Sequence, residues 1–140
     1  MFLLDTNVVS ELRKVQSGKA DRQVRKWAGG VDASDLFISV ITLQELEIGV
    51  LLAERRDPRK GALLRSWLQD NVRPAFRDRI LVVDGNVAVR SAKLHVPDPK
   101  PFRDGLIAAT ALVHGMTLVT RNSGDFEQTG VMLLNPWNKL

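Results

Sequence analysis

Four carboxylates stand where a parallel α/β sheet would gather them. Asp5 follows directly on the apolar run Phe2-Leu3-Leu4, and Glu45 lies early in the helix after Leu36 to Val40. Asp104 lies in the first turn of a helix that leaves a proline-rich loop, and Asp125 in the turn after Thr117 to Thr120. Open parallel sheets bind ligands beyond the carboxyl ends of their strands, where loops and helix N-termini converge. Each acid also has a purely structural use. Asp5 suits a helix cap, Glu45 completes a capping box with Thr42, Asp104 complements a helix dipole, and Asp125 suits a turn that bonds its own backbone. Gathered at one place, however, four carboxylates repel one another unless a cation sits among them. Oxygen ligands with no cysteine and no nearby histidine suit Mg²⁺ or Mn²⁺ rather than zinc.

The charge balance points to a substrate class. The 140 residues carry 20 Lys+Arg and 16 Asp+Glu, a net charge of +4; setting the four acids aside leaves 12 against 20, a surface of +8. An acidic pocket in a basic surface suits a phosphate polymer, with a metal acting at the scissile phosphate. Two basic clusters, Arg55, Arg56, Arg59 and Lys60, and Arg73, Arg77 and Arg79, either form solvated surface or follow an RNA backbone.

Other chemistries lack their residues. Zero cysteines remove disulfides, thiolate metal sites and Cys nucleophiles, and fit a reducing compartment. No Gly-x-Gly-x-x-Gly or Walker-type Gly-Lys-Ser/Thr is present. A phosphatase-like domain would want a second Asp two residues after Asp5, where Asn7 stands, and nothing places His95 and His114 together as an acid–base pair. No secretory signal precedes the first strand, and the apolar stretch from Gly105 to Val119 falls short of the ~20 residues that span a bilayer. The expectation is a soluble, cytoplasmic protein with no membrane partner.

Strands and helices alternate from end to end, the pattern of a parallel sheet covered on both faces. The strands are Phe2 to Leu4, Leu36 to Val40, Ile80 to Val83, Thr117 to Thr120 and Val131 to Leu134. The first helix spans about Val8 to Arg13, capped by Thr6 or Asn7, and a second carries Val24, Trp27 and Ala28 and stops at Gly29-Gly30. A helical hairpin follows, one arm starting at Thr42 and the other at Asp57-Pro58 and ending before Pro74. A helix carries Val87 to Leu94, and Val96 to Pro101 forms an extended loop into a helix from Phe102 to His114. Trp27 and Trp67 fall on apolar helical faces, while Trp137 could pack a partner. No repeat or linker interrupts residues 1–140, so one α/β domain is expected.

Four segments together carry a family likeness. Phe2-Leu3-Leu4-Asp5-Thr6-Asn7, Ser39 to Gly49 around Glu45-Leu46, Arg103-Asp104-Gly105-Leu106-Ile107-Ala108-Ala109-Thr110-Ala111, and Val119-Thr120-Arg121-Asn122-Ser123-Gly124-Asp125-Phe126 resemble the PIN domain in order and spacing across almost the whole chain. Among PIN domains the chain is most similar to the VapC/FitB toxins of type II toxin–antitoxin pairs. The resemblance implies a parallel sheet of about five strands and a Mg²⁺- or Mn²⁺-dependent endoribonuclease. It places the catalytic, metal-holding acids on Asp5, Glu45 and Asp104. Many relatives have an acid where this chain has Asn122, so the fourth falls on Asp125, with Asn122 assisting through a water or taking no part. Thr6, Asn7 and Thr120 match polar positions that orient the carboxylates or a water. The resemblance further implies a homodimer, an RNA substrate and a VapB/FitA-like antitoxin whose tail enters the acidic pocket, with DNA reached only through that antitoxin. The competing reading is a PIN domain that binds RNA or protein without cleaving.

Overall fold

Strands this short and apolar must be covered on both faces. The computed structural model, which describes residues 1–139, has that arrangement. β1 (Phe2–Leu4), β2 (Leu36–Ser39), β3 (Ile80–Leu81), β4 (Thr117–Val119) and β5 (Leu133–Leu134) run parallel in the order β3-β2-β1-β4-β5. Successive residues of a strand point to opposite faces. Leu4 accordingly joins Ile38 and Val119 in one core layer, beneath α1 (Thr6–Leu12), α2 (Arg22–Gly29), α3 (Val40–Arg56) and α4 (Pro58–Ser66). Leu3 and Leu118 turn to the other layer, beneath α7 (Phe102–His114), against which α6 (Gly85–Leu94) packs. The expected α/β fold with helices on both faces is the one observed.

Several element ends differ from the expectation, each for a local reason. α1 begins at Thr6 because Asp5, not Thr6 or Asn7, is its cap and accepts a hydrogen bond from the Thr6 amide. α3 begins at Val40 because the Ser39 hydroxyl accepts the Thr42 amide at 3.2 Å. Thr42 and Glu45 therefore form no capping box. β3 and β5 stop short because each is an edge strand with one neighbour, and Val82 and Met132 lie exposed beside them.

The hairpin arms are locked at close range. α4 starts at Pro58 with Asp57 as its cap and folds back on α3 at Gly61, where an added Cβ would lie 2.4 Å from the Glu54 Cα. Arg65 then bridges the arms, donating to Glu47 at 2.7 Å and to Glu54 at 2.9 Å. Rather than ending before Pro74, the helical path continues through a π turn (Trp67–Val72) into α5 (Arg73–Ala75). Pro74 supplies no N–H to this path, and the wider turn just before it, in which the Arg73 amide donates to the Leu68 carbonyl, carries the chain around it.

Trp27 is buried edge-on to Phe2, with ring centroids 5.5 Å apart, and Trp67 packs on the same layer. Trp137 also packs there, with the Arg121 guanidinium 5.1 Å from its ring centroid, so it folds onto its own chain. Among the described residues no helix is long and apolar enough to cross a membrane.

Candidate active site

The strand order sets β1 at the centre of the sheet, between β2 and β4. Parallel strands end on the same side, so Asp5 after β1, α3 after β2 and Thr120 after β4 meet at one edge. Asp5 is fully buried there. Its Oδ1 accepts the Thr6 amide at 2.8 Å, and its Oδ2 accepts the Thr120 hydroxyl at 2.7 Å. Thr120 Oγ1 in turn accepts the Asn122 amide at 3.0 Å, so Asn122 supports the site through its backbone. Asn7 Oδ1 accepts the Arg121 amide at 3.2 Å and ties the loop after β4 to α1.

Glu45 is reached from α3. Its Oε1 accepts the Thr6 hydroxyl at 2.5 Å, and the buried Thr42 hydroxyl lies 3.4 Å from that same oxygen of Thr6. Thr6 thus serves Asp5 with its amide and Glu45 with its side chain.

The centre of the cluster is a side chain to which composition and spacing assign no role. Arg103, at the start of α7, spreads its guanidinium over three carboxylates. Nη2 donates to Asp5 Oδ1, Nε to Glu45 Oε2 at 2.6 Å, and Nη1 to Asp104 Oδ1 at 2.8 Å. Burial opposes the charge on Arg103. The Glu45 hydrogen bond, the Asp5 charge and the Asp104 hydrogen bond outweigh it and push the pKa well above the ordinary arginine value.

The cluster unites Asp5, Glu45 and Asp104 with Thr6, Thr120 and the Asn122 amide. Asp125 lies exposed in the 3₁₀ turn Ser123–Thr129, and no hydrogen bond or ion pair joins its side chain to the cluster among the described residues. Nor do three carboxyl, imidazole or thiol groups converge on one point among them. The carboxylates ring a guanidinium instead. For Arg103 the signal in the sequence is a cation at the start of a helix, where the dipole favours anions; for Thr42 it is a hydroxyl one turn before Glu45, whose contact with Thr6 only the fold creates.

Thr6 and Glu45 open onto a cleft of about 360 Å³ whose walls include Arg13, Lys60 and Trp67. The Arg13 guanidinium lies 6.0 Å from the Trp67 ring centroid. Of the two basic clusters, Arg79 is spent on the fold, donating to the Ala33 carbonyl at 2.6 Å and to those of Leu36 and Ala75. Arg73 and Arg77 remain open along a groove of about 300 Å³.

Comparison with known proteins agrees with this geometry. The PIN domain family model matches residues 2–131. The chain is 38% identical to Toxin FitB of Neisseria gonorrhoeae, covering 99% of each chain, and 34% identical to VapC ribonuclease Y4jK of Sinorhizobium fredii, covering 98% of each. Among solved structures it is similar to FitAcB from Neisseria gonorrhoeae, with a TM-score of 0.89, 34% identity and coverage of 99% of this chain and 100% of that one. It is also similar to FitAB bound to an IR36 DNA fragment, with a TM-score of 0.87, 34% identity and coverage of 100% and 98%. With the acids after β1 and at the starts of α3 and α7 gathered at one sheet edge, and the likeness running the length of the chain, this protein belongs to the PIN domain family.

Proposed function

We propose that this protein is a divalent-metal-dependent endoribonuclease and the toxin of a type II toxin–antitoxin pair. One observation carries the reading: Asp5, Glu45 and Asp104 are gathered at the carboxyl end of the sheet, with Asp5 fully buried and all three paired to a cation. The donor set consists of carboxylates, the chemistry of Mg²⁺ or Mn²⁺ rather than of a soft metal, so these three residues match such an ion in donor type. Asp125, in the turn that follows Thr120, is the fourth acid of the reading. When bound, the ion supplies positive charge at the scissile phosphate and a more acidic water.

The chain's own residues do the positioning. Thr120 and the Thr6 amide hold the Asp5 carboxylate, and the Thr6 hydroxyl holds Glu45. Asn7 and the Asn122 amide fix the loop that carries Thr120. Arg13 and Lys60 bring positive charge to the cleft beside Glu45, where phosphates of an RNA strand would run.

The partners follow from the relatives. A chain similar along its length to a toxin seen in complex with FitA is read as the toxin of a VapB/FitA-like antitoxin. A homodimer, a cytoplasmic location and DNA contact made only through the antitoxin complete the proposal. The test is cleavage of a structured RNA by the antitoxin-free protein with Mg²⁺ or Mn²⁺ and with EDTA. Cleavage is expected only with the metal, and Asp5→Asn is expected to fold and to lose it; an active Asp5→Asn protein sinks the assignment.

A further inference from the structure

We propose that Arg103 is an internal cation that competes with the divalent ion for Asp5, Glu45 and Asp104, and so sets how tightly this site takes its metal. The inference rests on the metal reading above and adds to it a residue that tunes the site. Its basis is the set of oxygens Arg103 engages. Three different nitrogens of one guanidinium reach Asp5 Oδ1, Glu45 Oε2 and Asp104 Oδ1, one from each candidate ligand. A planar fork of this kind is suited to spanning several carboxylates at once.

Two cations cannot share these three oxygens. The Glu45 and Asp104 oxygens lie 2.6 and 2.8 Å from nitrogens on different edges of a planar group, so they sit around its perimeter. Mg²⁺ requires oxygens at about 2.0–2.1 Å from a single centre. Drawing them that close means expelling the guanidinium from between them. The absence of any point on which three such groups converge, among the described residues, is the counterpart of this arrangement. The fixed partner of the set is Asp5, which is buried and held from two sides by Thr6 and Thr120. The movable ones are Glu45 and Asp104, both partly open to solvent, and Arg103 itself, whose side chain is 31% exposed and has water to move into.

Deprotonation cannot release Arg103, because its surroundings strengthen the charge. Another cation can. In the metal-free state Arg103 keeps three neighbouring carboxylates from repelling one another, and any ion that enters must first break these contacts. Removing Arg103 should therefore weaken the metal-free protein and tighten metal binding at the same time. A residue with a purely structural role would do only the first.

The test titrates Mn²⁺ into the full chain by calorimetry and by the electron paramagnetic resonance signal of the free ion, with thermal melts in EDTA beside it. Wild type, Arg103→Gln and Arg103→Lys are compared. Arg103→Gln is expected to bind Mn²⁺ roughly tenfold or more tighter, the scale of coupling between two occupants of linked sites. It should also melt below wild type in EDTA and gain more from saturating Mn²⁺. If Arg103→Gln fails to fold without metal, Arg103→Lys decides, because a single ammonium cannot span three carboxylates and should also bind Mn²⁺ more tightly than wild type. Equal or weaker affinity in the variants, with wild type binding normally, overturns the inference and leaves the metal reading standing. If no form binds Mn²⁺ at millimolar concentration, the metal reading falls and takes the inference with it.

Discussion

Thr120 shows how much a single hydroxyl carries in this site. Asp5 has no access to water, so each of its oxygens depends on protein donors, and the Thr120 hydroxyl is the donor to Oδ2. Thr120→Val keeps the shape and deletes both that bond and the acceptor of the Asn122 amide. A buried group left unsatisfied costs about 1–3 kcal/mol. Thr120→Val should lower the urea midpoint accordingly, with no change in slope if the fold stays two-state. Arg65 offers a residue-scale test in pH. Its hydrogen bond holds the Glu54 carboxyl below its ordinary pKa. A depressed carboxylate adds stability above its unfolded pKa and loses it as pH falls through the folded value. The melting-temperature gap between wild type and Arg65→Gln should be present at pH 7 and shrink on acidification through the carboxylate range. A gap that grows in acid contradicts the assignment.

At the scale of elements, the α3–α4 hairpin depends on one absent side chain. Gly61 lets α4 approach until the Glu54 backbone fills the place of a Cβ, and that contact is to main chain, which cannot swing aside. Gly61→Ala gains helix propensity in principle, yet overpacking of this kind costs typically 1–3 kcal/mol. A lower melting temperature is the expected result, and a stabilised Gly61→Ala protein would show that the arms do not meet this closely. Since Glu45 rides on α3 and Lys60 on α4, the same variant should also reduce RNA cleavage. The hairpin was legible from Asp57-Pro58, a cap followed by the residue suited to a first turn. The start of α3 was not: expected at Thr42, it lies at Val40, because the backbone path brings the Ser39 hydroxyl to the Thr42 amide.

For the molecule as a whole, a basic chain with an acidic centre predicts a strong salt dependence. Arg13 and Lys60 line the cleft that opens from Glu45, while most other cations lie elsewhere on the surface. Each phosphate contact on a single strand contributes about −0.7 to the slope of log K against log salt. Arg13→Gln with Lys60→Gln should flatten that slope by roughly 1.4. RNA binding by an inactive Asp5→Asn protein, measured across a salt series, reads it directly, and an unchanged slope would take the strand away from this cleft.

The layering is legible along the chain, because runs such as Phe2–Leu4 and Leu36–Ser39 are apolar on both faces and can be stable only inside a sandwich of helices. Chain order also places Asp5 directly after β1, Glu45 in the helix after β2 and Asp104 in the first turn of α7. Tertiary structure decided what those acids touch. Whether Glu45 caps its own helix or reaches Thr6 and Arg103 depends on β1 and β2 lying side by side, a contact between residues far apart in the chain. The central place of Arg103 has the same cause. Arg103 precedes Asp104 in sequence and looks like an exposed neighbour. Only the parallel sheet, which brings the ends of β1 and β2 beneath the first turn of α7, makes it the point where three carboxylates meet.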